Sequence, residues 1–322
     1  MESIKVYSFF TKNGFHGAFW NAGDAVAYYL PSFNPGILRF ASFELNRYLL
    51  PSYLSKEEEF IEFAVKNMVT GAPINLGSIG QSSLPLNHYF PRVWRGHYKF
   101  GRGELCSNAV SNMMEYGSSY VSSMVAAENI YRYLQEIFNY IDPCQENLEA
   151  FGPKLRELLI LACTEVEGLW KGVLRANSTK EKSRYSTKDY YTLCELLCLK
   201  SWSVYLKDYP DLGQFSPFES WTSEQATQSL VWYESYNAVK HDREKSTNQA
   251  TLKNVLGAIS AIHILLVAQW GPDVYSEKEG GRRSPFELNQ IPIFLASDLY
   301  VSSFESSGMI PVKYFDLEDS EL

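Results

Sequence analysis

Apolar positions recur with a helical period through the middle of the chain and alternate more loosely towards its two ends. The clearest stripe lies in residues 154–174. There Leu155, Leu158, Leu159, Ala162, Val166, Leu169, Trp170 and Val173 repeat with a period of about 3.6 and predict an amphipathic helix. Residues 126–141 read as a helix ended by Asp142 and Pro143. Residues 188–199 read as another, with Ser186 or Thr187 as N-cap, and two more are expected over 223–240 and 246–270. Before these, residues 55–70 carry Phe60, Phe63, Ala64 and Met68 at helical spacing, and Glu57, Glu58 and Glu59 in the first turn suit the positive helix end. Strands are expected at residues 4–10, 201–206, 286–294, 299–304 and 310–315, with turns at 33–36 and 71–73. The predicted class is α+β: a mixed α/β region over 1–103, a mostly helical central bundle over 104–275, and a strand-rich segment with an acidic tail over 276–322.

The stretch between Lys253 and Asp273 holds no fixed charge and approaches the roughly 20 residues that cross a bilayer. Asn254, Ser260, His263 and Gln269 interrupt it at a cost in lipid, so a central core helix is expected and no membrane. The first residues lack a basic patch followed by an apolar run, so no secretory leader is expected. The five cysteines, Cys106, Cys144, Cys163, Cys194 and Cys198, are odd in number and form no C-x-x-C pair, which points away from disulfides and zinc and towards a cytoplasmic setting. Cys194 and Cys198, four apart among leucines, are expected to share a buried helix face.

At 322 residues and 45% hydrophobic, with 7 Trp, 22 Tyr and 19 Phe, the chain can bury a large core; disorder, collagen and small disulfide scaffolds are excluded. A net charge of −8 argues against a general nucleic-acid coat and leaves room for one local basic site.

Three clusters carry candidate chemistry. In residues 232–244, Tyr233, Asn237 and His241 fall on one helix face, with Lys240 and Arg243 flanking the imidazole. Cationic neighbours keep a histidine neutral and available as a base, and they also suit a phosphate. Asn237, His241 and Asp242 would also serve simply to stop one helix and cap the next. Glu167 lies inside the apolar stripe with Lys171 one turn on, as a structural pair or as a partner for His241 or Lys240. Finally Arg92, Arg95, Lys99 and Arg102, with His97 among them, alternate with Trp94, Tyr98 and Phe100. Cations for phosphates and rings for bases describe a groove for single-stranded RNA; a half-buried hairpin shows the same alternation. His263, on the stripe of the last apolar helix, reads as a satisfied core histidine. No G-x-S-x-G, P-loop, G-x-G-x-x-G or H-E-x-x-H occurs, so neither cofactor nor metal is expected.

A helical domain with Glu-x-x-x-Lys on an early helix, here Glu167 to Lys171, and a polar motif ending in histidine on a later one, here Asn237 to His241, resembles the HEPN superfamily over about residues 144–272. The resemblance implies RNA binding and metal-independent endoribonuclease chemistry, in a homodimer that joins two motifs, within a bacterial toxin, RNA-processing or phage-defence system with possible protein partners. It implies His241 as acid or base, Lys240 and Arg243 as phosphate stabilisers, Asn237 as the orienting group, and Glu167 as the support of the histidine or of Lys171. The family's motif has arginine where Tyr236 stands. The alternative is therefore one of its non-catalytic versions, a dimerisation or ligand-binding module of a multi-protein assembly.

Overall fold

The computed structural model describes residues 4–23, 25–31, 38–44, 56–68, 72–96, 98–99, 102–103, 107–178, 182–275 and 283–301. Its architecture is mixed α+β, in two compact units.

The first unit comprises residues 1–89, 95–111 and 293–313. Strands β1 (Val6–Thr11), β2 (His16–Asn21), β3 (Ala25–Pro31) and β4 (Leu38–Glu44) form an antiparallel meander. After helix α1 (Glu57–Asn67), strand β5 (Ile74–Gln81) joins the other edge, giving the order β4-β3-β2-β1-β5. Successive side chains of a strand point to opposite faces. On one face Tyr7, Phe9 and Phe19 pack with Phe60 and Ala64 of α1; on the other, Val6, Ala18 and Trp20 pack with Val301. Cover on both sides explains why residues 4–10 alternate only loosely. A two-residue ladder, β6 (Tyr98–Lys99) with β7 (Arg102–Gly103), completes the described strands of this unit.

The second unit comprises residues 90–94, 112–292 and 314–322. Helix α2 (Ser107–Phe138) begins well before the predicted residue 126 and is kinked at Tyr116. Helix α3 (Pro153–Asn177) starts with proline at its first turn, where a missing N–H leaves no bond unmade. Two short helices follow, α4 (Thr187–Tyr191) and α5 (Leu193–Leu196), then β8 (Ser203–Leu206) and β9 (Gln214–Phe215). Helix α6 (Val231–His241) leads into α7 (Arg243–Ser246) and α8 (Leu252–Trp270), and β10 (Phe286–Gln290) closes a small antiparallel sheet of order β10-β8-β9. Helices α3, α6 and α8 pack pairwise. Most of α8 is buried all round within the protein, as a core helix requires.

Several predicted boundaries move. The helix expected over 188–199 breaks in two and ends at Leu196, where the Trp202 Nε1–H donates to the Leu197 carbonyl at 3.0 Å. Cys198 then lies in the left-handed region at φ 51°, so it shares no helix face with Cys194. The helix expected from 223 begins only at Val231. Residues 220–230 are held as turns instead, with the Trp221 Nε1–H donating to Ala226 O at 2.8 Å and the Thr222 N–H to Ser229 Oγ at 3.0 Å. Thr251 caps α8 by accepting from the Asn254 N–H, which delays that helix to Leu252. At the C-terminal end, β10 stops at Gln290 before Pro292, and residues 299–301 form no strand. The strand expected at 310–315 and the turn at 33–36 lie outside the described residues, and the 71–73 turn is described only from Ala72.

Candidate functional site

A cleft of about 640 Å³ opens in the second unit. One wall is α3, where Glu167, Lys171 and Arg175 recur every fourth residue and therefore stack along one face. The second is the last turns of α6, which present Tyr233, Asn237, Lys240 and His241. The third is the segment leading into α4, with Ser183, Arg184, Tyr185, Ser186, Thr187 and, inside the helix, Tyr190.

Each wall is fixed locally. Arg156 of α3 donates from Nε at 3.2 Å and Nη2 at 2.9 Å to the Val239 carbonyl, so a guanidinium satisfies the C-terminal end of α6 where a cation also suits the helix dipole. Asn254 ties the same helix to α8 through a 2.9 Å bond from its Nδ2 to Ser235 Oγ. The third wall is set by a capping box. The Ser186 N–H and hydroxyl donate to the Asp189 carboxylate at 2.6 and 2.8 Å, and Lys182 pairs with the same side chain at 2.8 Å. Thr227 Oγ1 donates to Thr187 Oγ1 at 2.9 Å and holds α4 to the turns before α6.

Among the described residues, four fixed cations, Lys171, Arg175, Arg184 and Lys240, line the cleft against one fixed carboxylate, Glu167. That carboxylate is already engaged: Lys171 Nζ lies 3.2 Å from Oε2, and the Tyr233 hydroxyl donates to Oε1 at 2.9 Å. Burial and the Glu167 charge hold the Tyr233 hydroxyl far above the usual tyrosine range, so it remains a neutral donor. Lys240 donates to the Tyr236 hydroxyl at 2.8 Å, and this bond raises its pKa against the effect of burial. Behind this pair, the buried Cys163 thiol is pushed up by burial and by Glu167, which keeps it unreactive.

Glu167, Lys171, Asn237, Lys240 and His241, chosen from sequence, thus line one cleft. Glu167 supports Lys171 and Tyr233 and makes no hydrogen bond to His241 among the described residues. Of the residues that also suited a capping role, only Asp242 takes it, accepting from the Lys245 N–H at 3.1 Å. Arg243 opens α7, and its side chain lies outside the described residues.

Residues 92–96 are buried or half-buried, unlike a solvent-facing groove. Arg92 is 6% exposed. Its Nε donates to Gln269 at 2.9 Å, its guanidinium sits 5.4 Å from the Trp270 ring centre, and burial lowers its pKa to about 10. An interior guanidinium so engaged offers no face to a phosphate, which corrects the RNA-contact role expected of Arg92. Arg95 is half-buried over the Phe294 ring at 5.0 Å. Lys99 and Arg102 face each other in the β6–β7 ladder, as a hairpin requires. Their side chains, and His97 altogether, lie outside the described residues. His263 is the buried core histidine the pattern implied, its Nδ1 bonded to Ser284 Oγ at 2.8 Å.

Arg175, Arg184 and Tyr185 are cleft residues that the sequence reading passed over. Arg175 was signalled by its spacing of four from Lys171; Arg184 and Tyr185 sit in a segment without periodicity. Compared with protein-family models, curated proteins and solved structures, the chain matches none at a significant level.

Proposed function

We propose that the cleft binds the phosphodiester backbone of RNA and cleaves it without metal, as a HEPN-like endoribonuclease acting as a homodimer in a toxin or phage-defence setting. The observation that carries this reading is the gathering of four fixed cations, Asn237 and an exposed His241 around one already neutralised carboxylate, in a protein of net charge −8. Cations in a concave site attract phosphate and stabilise charge that builds on its oxygens during transfer. In this scheme His241 accepts the proton of a ribose 2′-hydroxyl while that oxygen bonds to the adjacent phosphorus. The P–O5′ bond breaks, a water-borne proton caps the leaving oxygen, and the ends are a 2′,3′-cyclic phosphate and a 5′-hydroxyl. Asn237 orients the phosphate; Lys171 and Lys240 meet its charge; Glu167 and Tyr233 hold Lys171 in place.

A second reading rests on Tyr236. It is buried, stands where the HEPN motif has arginine, and engages Lys240, whose ammonium donates to its hydroxyl and lies over its ring. With that arrangement the domain binds RNA, or another anionic ligand, without cutting it. Incubation of the protein with single-stranded RNA in EDTA separates the two. Cleavage to cyclic-phosphate ends, falling by about 100-fold or more in His241→Ala, is expected for a general base. Binding without cleavage establishes the second reading, and equal cleavage by both proteins removes His241 from the reaction.

A further inference from the structure

A column of aromatic rings that the phosphate chemistry leaves unused runs from the core of the second unit to the cleft. Trp221 and Trp170, both without exposed surface, stack at 5.3 Å between ring centres and 24° between planes. Trp170 stacks in turn on Tyr190 at 4.9 Å and 26°, and Tyr190 on Tyr185 at 6.3 Å and 26°. The four rings therefore run in sequence from the core of the unit to its surface, and the last of them, Tyr185, is only half-buried and lines the cleft beside Arg184. Buried rings have their faces covered by the protein. A partly exposed ring that ends such a column is a rigid platform, because the rings beneath it fix its plane and little rotamer freedom remains to be lost on binding. The segment that carries it is pinned by Ser186 and Lys182 on Asp189.

We infer that Tyr185 is a nucleobase-stacking subsite, so that the ligand of this cleft is a nucleotide unit with an unpaired base, its phosphate on the Lys171–Arg175–Arg184 side and its base on the tyrosine ring. This inference rests on the proposed RNA reading and narrows it to single-stranded substrates. A base in a duplex has both faces covered by its neighbours, whereas an unstacked base presents a free π-face to an aromatic ring. The chemistry is shared by a residue within an RNA chain and by a free nucleotide, and the two differ in how many phosphates reach the cations.

Binding by the full chain to a short oligouridylate, to an abasic oligonucleotide of equal length and to adenosine monophosphate tests it. Tyr185→Ala is expected to lower affinity for the base-bearing oligonucleotide by about tenfold, with Tyr185→Trp restoring it, and to leave the abasic one unchanged. Equal loss on both oligonucleotides, or no loss on either, overturns the base subsite while wild-type binding of RNA keeps the RNA reading standing. Tyr185-dependent binding of the mononucleotide without binding of either oligonucleotide supports the subsite, assigns it to a free nucleotide and overturns the RNA reading. Absence of binding to all three probes by the wild type overturns both. Unchanged thermal unfolding of Tyr185→Ala and Tyr185→Trp separates loss of the platform from loss of the fold.

Discussion

His263 shows how a single side chain sets a condition on the whole second unit. It sits in the interior on α8, stacked on Tyr275 with ring centres 4.5 Å apart and bonded through Nδ1 to Ser284. Burial, helped by the charge of Lys207, lowers its pKa to about 3 from an ordinary value near 6.5. Below pH 6.5 the unfolded chain therefore takes up a proton that the folded chain refuses until about pH 3. Stability is fully present above that window and falls as pH drops through it, by up to about 1.4 kcal/mol per pH unit. Urea midpoints measured between pH 7 and pH 4.5 should fall for the wild type. His263→Gln keeps a polar side chain without a titrating ring and should show a flatter dependence over the same interval. Parallel curves for the two proteins would show that other groups govern acid sensitivity. The histidine was readable from sequence as a core residue because its neighbours on the stripe are apolar. Its partner Ser284 was not, since that contact joins positions 21 residues apart in the chain.

At the level of elements, α3 records in two glycines what its neighbours demand. A Cβ at Gly168 meets nothing within 4 Å, whereas one at Gly172 would collide with the Arg92 guanidinium. Glycine in a helix interior costs about 1 kcal/mol relative to alanine. Gly168→Ala is therefore expected to raise stability by about that amount, and Gly172→Ala to lower it by about 1–3 kcal/mol because a buried cation must move. Chemical denaturation of the two variants side by side gives opposite signs if the Arg92 contact decides; the same sign for both would leave only helix propensity at work. The same contrast marks what sequence could and could not disclose. The body of α3 was plain from its stripe, because burial against α6 and α8 imposes the period. So was the juxtaposition of Glu167 with Lys171, which is local. Starts of helices were misplaced where a side chain competes for the backbone: Ser229 and Trp221 hold turns before α6, and Thr251 caps α8 late. Likewise the basic run 92–102 suits both an RNA groove and a half-buried hairpin, and no local pattern distinguishes an arginine that reaches Gln269 from one that reaches solvent. The third wall of the cleft has no period at all, so Arg184 and Tyr185 became visible only through folding.

Across the whole molecule, a net charge of −8 coexists with a cleft in which four cations face one paired carboxylate. Distant acidic charges are screened beyond about 8 Å at physiological ionic strength, whereas groups within the cleft act at contact distance. A polyanion therefore experiences repulsion from the body that weakens with salt and attraction from the cleft that also weakens with salt, and the measured slope reports which dominates. If the cleft holds RNA, added salt should weaken binding, with the logarithm of affinity falling by about 0.7 per phosphate neutralised on a single strand for each tenfold rise in salt. Removing Lys171 and Arg184 together by alanine substitution takes away two cations from different walls without disturbing the Arg156 clamp on α6. The slope should then become shallower by about 1.4, with affinity loss independent of base sequence. Glu167→Gln works in the opposite direction: it keeps an acceptor for Tyr233, frees the charge of Lys171, and should strengthen binding most at low salt. Fluorescence-anisotropy titrations of one labelled oligonucleotide over a salt series measure all three proteins. An unchanged slope in the Lys171/Arg184 double variant would place the phosphate contacts outside this cleft, because charge removed from a true contact must appear in the number of ions released.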